Sequence, residues 1–157
     1  MKPLALLLAM ALSAPLFAEV ARPASDFTFP AAGGKDGSLK NLRGQPVVLV
    51  IADNAQRKEL LKQLRLLEEL YPKFANKHVV FAAALTGASE TVQSSIPFAP
   101  VNNPSAVAAA YQFAGKFQLV IIGRDGNIDY QTEKVCLGER VRDVIQNSFV
   151  PQNAARR

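Results

Sequence analysis

Cysteine, histidine and tryptophan are scarce in this chain of 157 residues, which contains one cysteine (Cys136), one histidine (His78) and no tryptophan. A single cysteine excludes both an intramolecular disulfide and a catalytic cysteine pair. A metal site needs several Cys, His or carboxylate ligands at suitable spacing, and one His with one distant Cys does not supply them. No glycine-rich phosphate-binding motif is present either. We therefore expect no metal and no cofactor.

The chain also lacks any dense block of charge of one sign. Its net charge of +5 at pH 7 comes from 18 basic and 13 acidic residues, which are interspersed along the sequence. Nucleic-acid-binding domains usually concentrate Lys and Arg on one face or in one arm. We therefore expect no nucleic-acid partner.

The N-terminus has the pattern of a secretory signal peptide. Lys2 precedes an apolar run over residues 4–12, and Ala18 supplies a small residue for cleavage. A transmembrane helix needs roughly 20 apolar residues, so this run is too short to span a membrane. We predict a signal peptide over 1–18, an N-terminal strip over 19–25, a folded domain over 26–149 and a flexible tail over 150–157. The mature chain is then periplasmic or secreted and has no membrane span.

Three apolar runs predict the central strands of a sheet. They cover residues 47–52, 78–85 and 117–122, and the last run leads through a hairpin turn into a returning strand that begins at Ile128. Helical patterns separate the runs. The order of strands and helices predicts an α/β protein with a mixed sheet.

The predicted helices differ in the strength of their signals. Residues 55–71 repeat leucine at helical spacing, and Asp53 with Gln56 forms the pattern of a capping box. A second helix is predicted over 106–112 with Ser105 as its cap, and a last one starts at Gly138. Residues 87–95 are also predicted to contain a short helix.

Four sequence motifs, taken in order, resemble the thioredoxin superfamily. They are DFTFP at 26–30, LKNLRGQPVVLV at 39–50, IPFAPVNNP at 96–104 followed by residues 107–111, and VIIGRDGNI at 120–128. The most similar branches are the exported thiol–disulfide reductases and the alkyl hydroperoxide reductase/thiol-specific antioxidant proteins, which are peroxiredoxin-like. The resemblance implies a thioredoxin-like fold, with a central mixed sheet and helices on both faces.

The redox centre of that superfamily is missing from this sequence. The family places a reactive thiolate at the N-terminus of the helix after the first central strand, and its cysteine pair would fall near Gln56 and Glu59. No cysteine precedes Cys136. The family's cis-proline position corresponds to Phe117, and we expect a trans peptide bond there because a cis bond before a residue other than proline is unfavourable.

Two functions remain open. The first is a non-catalytic binding module of the cell envelope, with another envelope protein or an extended peptide as partner. The vacated redox cleft would supply Asp53, Asn54, Gln56, Arg57 and Phe117, with Phe117 as an apolar floor if it is partly exposed. These polar residues could instead simply cap the helix. If Phe117 is buried, the cleft loses its main apolar residue.

The second function is a thiol-dependent oxidoreductase or antioxidant-family protein that acts through Cys136, the only candidate catalytic thiol. Cys136 is flanked by Val135 and Leu137, a setting typical of a small buried apolar residue. An unpaired cysteine in an exported protein can also form an intermolecular disulfide or react. A reactive, low-pKa thiol would favour this second function, and a slow, buried one would favour the first.

Overall fold

The computed structural model describes residues 22–74, 78–87 and 90–148. The predicted signal peptide, the first residues of the N-terminal strip and the predicted C-terminal tail lie outside these ranges. In chain order the elements are β1 (Thr28–Pro30), β2 (Asp36–Ser38), a 3-10 turn (Leu39–Leu42), β3 (Val47–Ala52), α1 (Lys58–Phe74), β4 (Val80–Leu85), β5 (Ala99–Pro100), α2 (Pro104–Ala110), β6 (Phe117–Ile122), β7 (Ile128–Thr132) and α3 (Gly138–Ser148).

Five strands form one mixed sheet in the order β5-β4-β3-β6-β7. Strand β3 runs parallel to β4 and antiparallel to β6, and its last residue, Ala52, lies opposite Leu85 on one side and Phe117 on the other. Every residue of β3 and β6 is buried, as their continuous apolar sequences predict. The prediction that the three apolar runs share one sheet is confirmed.

Helices cover both faces of this sheet. On one face α1 and α3 pack through apolar side chains at helical spacing, namely Leu60, Leu64, Leu67, Val141 and Ile145. On the other face α2 packs through Val107 and Ala108, together with Phe27 and Leu39 from the β1–β2 region. The leucine pattern predicted for the first helix is therefore its core-facing side.

Helix α1 begins at Lys58, three residues later than predicted, and continues to Phe74 through Pro72. The predicted capping box between Asp53 and Gln56 does not form because the Asp53 carboxylate binds Arg57 instead. Proline is tolerated at position 72 because it lies in the last turn, where it removes one helical hydrogen bond near the end of the ladder.

Two other helix predictions are also corrected. Helix α2 is capped by Asn103, whose side-chain oxygen accepts from the N–H of Ala106 at 3.2 Å, and not by Ser105. Pro104 occupies the first helical position, where its missing N–H has no partner to lose. Residues 87 and 90–95 are not helical. Glu68 instead accepts hydrogen bonds from the hydroxyl of Ser94 and the N–H of Ser95, which holds this segment in an irregular conformation.

None of the helices in the described ranges is long and apolar enough to cross a membrane.

Candidate functional site

The loop of residues 53–57 joins β3 to α1 at the C-terminal edge of the parallel strands, where open α/β sheets tend to bind ligands. It contains four of the predicted binding residues, Asp53, Asn54, Gln56 and Arg57. The N–H of Asp53 donates to the carbonyl of Lys116 at 3.3 Å. This bond attaches the loop to the residue before β6, so the structure brings all four next to the strand that starts at Phe117.

Asp53 and Arg57 form an ion pair within this loop. The Nε of Arg57 donates to Oδ1 of Asp53 at 2.9 Å, and its Nη2 contacts Oδ2. The hydrogen bond from the Arg57 guanidinium holds the pKa of the Asp53 carboxyl below its usual value. Both side chains are partly exposed, so a pair of this kind contributes no more than about 1 kcal/mol. Its main effect is to keep Arg57 folded over the loop.

Backbone donors of the loop are used internally. Asn54 accepts from the N–H of Gln56 at 3.0 Å through its side-chain oxygen, a local turn that asparagine commonly makes. The carboxylate of Glu90 accepts from the N–H of Ala55 at 2.8 Å. These two N–H groups are therefore not free to bind a small anion. The N–H of Ala55 already donates to a carboxylate of the protein itself, that of Glu90.

Glu90 and Gly87 are site residues that the sequence did not reveal. A Cβ atom at Gly87 would collide with the carbonyl oxygen of Asp53, so glycine allows the two loops to approach closely. Glu90 lies 35 positions beyond its partner Ala55, and no local pattern links two residues at that distance. The only signal for this contact was a glycine two residues after the end of a central strand.

Phe117 does not line this site. Its side chain is 2% exposed and belongs to the core between the sheet and helices α1 and α3. Of the two cases left open for Phe117, the structure has the buried one, in which the cleft loses its apolar floor. The physical reason is that β6 lies inside the sheet between β3 and β7, and the Phe117 side chain packs beneath α1. The peptide bond before Phe117 is trans as expected, because the described residues contain no cis bond.

An apolar pocket lies beside the loop instead. It has a volume of about 320 Å³ and is bordered by the ends of β4 and β5 and by the segment between them. Most of its lining is apolar, and Glu90 and Gly87 connect it to the loop of residues 53–57. The side chains that form its walls include Leu85, Val92, Phe98, Pro100 and Val101.

Cys136 lies away from the loop, in the segment between β7 and α3, and is 5% exposed. The side chain of Gln63, in the second turn of α1, holds its backbone on both sides. Gln63 Oε1 accepts from the N–H of Cys136 at 2.7 Å, and Gln63 Nε2 donates to the carbonyl of Cys136 at 3.0 Å. Burial raises the pKa of the Cys136 thiol above its ordinary value. Such a thiol is a poor nucleophile at neutral pH because the thiolate is the reactive form.

His78 is exposed. Within the described ranges, no three or more His, Cys, Asp or Glu side chains are grouped so that they could hold a metal ion.

No protein-family model and no curated protein sequence matches this chain. Its fold is nevertheless shared with solved structures. The thioredoxin domain of a thiol-disulfide oxidoreductase from Bacteroides vulgatus has a TM-score of 0.64 at 17% identity, with coverage of 80% of this chain and 96% of that one. The exposed lipoprotein thioredoxin Etrx1 from Streptococcus pneumoniae has a TM-score of 0.58 at 14% identity, covering 78% and 99%. StoA from Bacillus subtilis has a TM-score of 0.58 at 16% identity, covering 77% and 96%.

These similarities identify the fold as thioredoxin-like, as the sequence motifs imply. The chain differs from a thiol–disulfide oxidoreductase with a cysteine pair because it contains a single cysteine.

Proposed function

We propose that this thioredoxin-fold chain is a non-catalytic binding module of the cell envelope, which holds an extended polypeptide at the loop of residues 53–57 and the adjacent apolar pocket. One observation carries the proposal. The resemblance to the family implies a cysteine pair near Gln56 and Glu59, where this sequence has no cysteine, and its single cysteine, Cys136, is buried with a raised pKa.

Redox chemistry lacks a nucleophile at this site. A glutamine amide does not ionise at neutral pH and does not attack a disulfide or a peroxide. The loop contains an ion pair and internally used N–H groups in the place where a thiolate would need stabilising donors. Cys136 cannot supply the missing nucleophile, because it is buried away from this loop, with its backbone bonded to Gln63.

Polypeptide binding is supported by the composition of the pocket. Its volume of about 320 Å³ is enough for one or two apolar side chains, and its walls are mainly aliphatic, aromatic and proline residues. Apolar pockets with a few polar groups at the rim are the usual form of binding sites. Glu90 and Thr91 are the polar residues of its lining, and Gln56 is exposed in the loop that Glu90 contacts, so backbone amides of a bound peptide have polar groups to pair with.

The envelope location rests on the predicted signal peptide and on one of the similar folds, which is named an exposed lipoprotein. Detection of the mature chain in a periplasmic or secreted fraction, with an N-terminus after Ala18, tests this part. A chain that keeps residues 1–18 and stays in the cytoplasm contradicts it.

The absence of catalysis is tested by insulin-disulfide reduction and by thiol-peroxidase turnover. We expect the mature protein to show no activity above a Cys136→Ala control. Cysteine-dependent turnover at catalytic rates would instead assign the chain to the thiol oxidoreductases.

Binding is tested with a permanently unfolded, cysteine-alkylated polypeptide and two neighbouring substitutions. Val92 lines the pocket, whereas Gln93 is exposed and does not line it. We expect Val92→Asp to weaken binding at least about tenfold, because a carboxylate replaces an apolar contact, and Gln93→Asp to bind like the parent. Isothermal titration calorimetry measures both. Equal binding by the two folded variants, or no binding by the parent, contradicts the proposed site.

A further inference from the structure

Residues 90–94 form an extended segment that is paired with no strand of the described structure. Every second side chain points inward. Glu90 binds the loop of residues 53–57, Val92 packs against the core under α1, and the hydroxyl of Ser94 donates to a carboxylate of α1. An inward side chain at every second position is the pattern of an extended backbone.

The two side chains between them have the same spacing and point outward. Thr91 and Gln93 are both exposed, and Gln93 Nε2 donates to Thr91 Oγ1 at 3.4 Å. Side chains two positions apart lie on the same face of a strand. The segment therefore has the alternation of a β-strand, and its three inward side chains hold it in place.

The backbone of this segment is unpaired where it passes the apolar pocket. The N–H and C=O groups of Thr91 and Val92 form no hydrogen bond with any residue that the structure describes. An extended backbone with unpaired groups is a template onto which another chain can add as a strand. Proteins commonly protect such edges with lysine or proline, as Pro100 does in β5. Residues 90–92 contain neither.

The apolar pocket supplies the side-chain contacts that a chain added here would make. Glu90, Thr91 and Val92 form part of its lining, and Glu90 is the only charged residue among those that line it. One carboxylate oxygen of Glu90 accepts from the N–H of Ala55, which leaves the other oxygen to bind a cation. A polypeptide along this segment can therefore place an apolar side chain in the pocket and a basic one beside Glu90.

We propose that residues 90–92 bind an extended polypeptide by strand addition, with an aliphatic side chain of that polypeptide in the apolar pocket and a lysine or arginine beside Glu90. Glu90 and Val92 are two positions apart, so their partners on an added strand are also two positions apart. Main-chain hydrogen bonds give affinity for any extended chain, whereas the pocket and Glu90 select its side chains. This inference rests on the proposed function, because it uses the same pocket.

The probe is the peptide acetyl-Ser-Lys-Thr-Leu-Thr-Lys-Ser-amide, which carries lysine two positions from leucine on both sides and so fits in either chain direction. One variant is methylated on the leucine nitrogen, and a second on both threonine nitrogens. Methylation removes main-chain donors and keeps the side chains. Because N–H groups of successive residues point to opposite edges of a strand, we expect one variant to bind at least about fivefold more weakly and the other like the unmodified probe.

Calorimetry with the probe, its two variants and the alkylated unfolded polypeptide separates this inference from the proposed function. Equal affinities of the two methylated variants overturn strand addition, while binding of the alkylated polypeptide keeps the pocket as a binding site. Absence of binding by the probe and by the alkylated polypeptide contradicts both.

Amide hydrogen exchange locates the pairing on the protein. In the free protein we expect the N–H groups of Thr91 and Val92 to exchange rapidly, because neither has a partner among the described residues. With the probe bound, one of the two should exchange at least about fivefold more slowly and the other should not change, since a strand added on one edge pairs with alternate residues. Protection of neither group, or of both equally, overturns the pairing.

Glu90→Gln tests the preference for a basic side chain, because glutamine can still accept from the N–H of Ala55. We expect the parent to bind the lysine probe at least about threefold more tightly than a probe with glutamine in place of both lysines. Glu90→Gln should lose this preference, and Glu69→Gln, an exposed carboxylate outside the pocket, is the matched control that should keep it. An unchanged preference in folded Glu90→Gln overturns the pairing of the basic side chain with Glu90.

Discussion

Gln63 and Gln118 are buried to the same degree, at 0% and 1% exposure, yet their amides are used differently. Gln63 lies in α1, and both its amide nitrogen and its amide oxygen form hydrogen bonds with the backbone of Cys136. Gln118 lies in β6 on the opposite face of the sheet, and only its amide nitrogen forms a hydrogen bond, to the carbonyl of Tyr111. The Gln63 amide is therefore fully paired within the chain, whereas the oxygen of the Gln118 amide accepts no hydrogen bond from the residues that the structure describes.

The difference follows from what each glutamine supports. Residues 135–137 form no strand or helix, so the Cys136 backbone has no ladder partner and Gln63 supplies one. The Tyr111 carbonyl at the end of α2 accepts from two glutamines and would keep one bond if either were lost. We therefore expect Gln63 to contribute more to the stability of the fold than Gln118.

The largest effect should come from the neighbour of Gln118 in the same strand. Phe117→Asp buries a carboxylate among the apolar side chains of the core under α1. We expect loss of more than about 4 kcal/mol in the free energy of unfolding, enough to prevent folding. Near-UV circular dichroism and solubility measure it, with Phe117→Leu as the folded control. A stable Phe117→Asp protein would mean that this side of β6 is open, which contradicts the structure.

A smaller effect separates the two glutamines directly. Gln63→Leu leaves the buried N–H and carbonyl of Cys136 without partners, and we expect a loss of about 2–4 kcal/mol. Gln118→Leu is the matched control, expected at no loss. Urea unfolding of both variants gives the comparison. Equal losses would show that the two amides have the same structural role.

The smallest effect concerns a second irregular segment held by α1. Glu68 accepts from the hydroxyl of Ser94 and from the N–H of Ser95, and these bonds lower its pKa from the ordinary 4.5. The folded state thus releases this proton more readily than the unfolded state, so the stabilisation is present above about pH 4.5 and is lost as the pH falls through the lowered pKa.

We expect Glu68→Gln to cost about 1 kcal/mol or less at neutral pH and nothing below the lowered pKa. The measurement is the free energy of unfolding against pH, compared with Glu69→Gln on the exposed side of the same helix. A pH-independent difference between Glu68→Gln and the parent would show that the carboxylate charge is not what holds residues 94 and 95.

Local patterns predicted most of the fold. The apolar runs became buried strands and the leucine repeat became the core face of α1, because each signal lies within a few residues. The start of α1 was misplaced because Arg57 competes with Gln56 for Asp53, and the sequence does not rank the two. Phe117 could not be assigned to a face, since five of the six residues of its strand are apolar and all six are buried.

The site was harder to predict than the fold. Asp53, Asn54, Gln56 and Arg57 were predicted at the C-terminal edge of a central strand, with Gln56 and Arg57 already in the helix, whereas all four precede α1, which begins at Lys58. Glu90 reaches the same loop from a distant segment. Gln118 is the single polar residue in the run FQLVII. A lone amide inside a buried strand is informative only once its partners are known.

The two edges of the sheet have a consequence for behaviour at high concentration. Strand β5 is only two residues long, and Pro100 has no N–H to offer another strand. At the other edge, the chain at residues 22–24 already bonds the hairpin turn and the start of β7, through Ile128 to Arg22 at 2.7 Å and Ala24 to Gly126 at 3.0 Å. Exposed strand edges are templates for edge-to-edge aggregation, and shortening or covering them prevents it. The same arrangement reduces the free backbone that β5 and the start of β7 offer to a second copy of the chain.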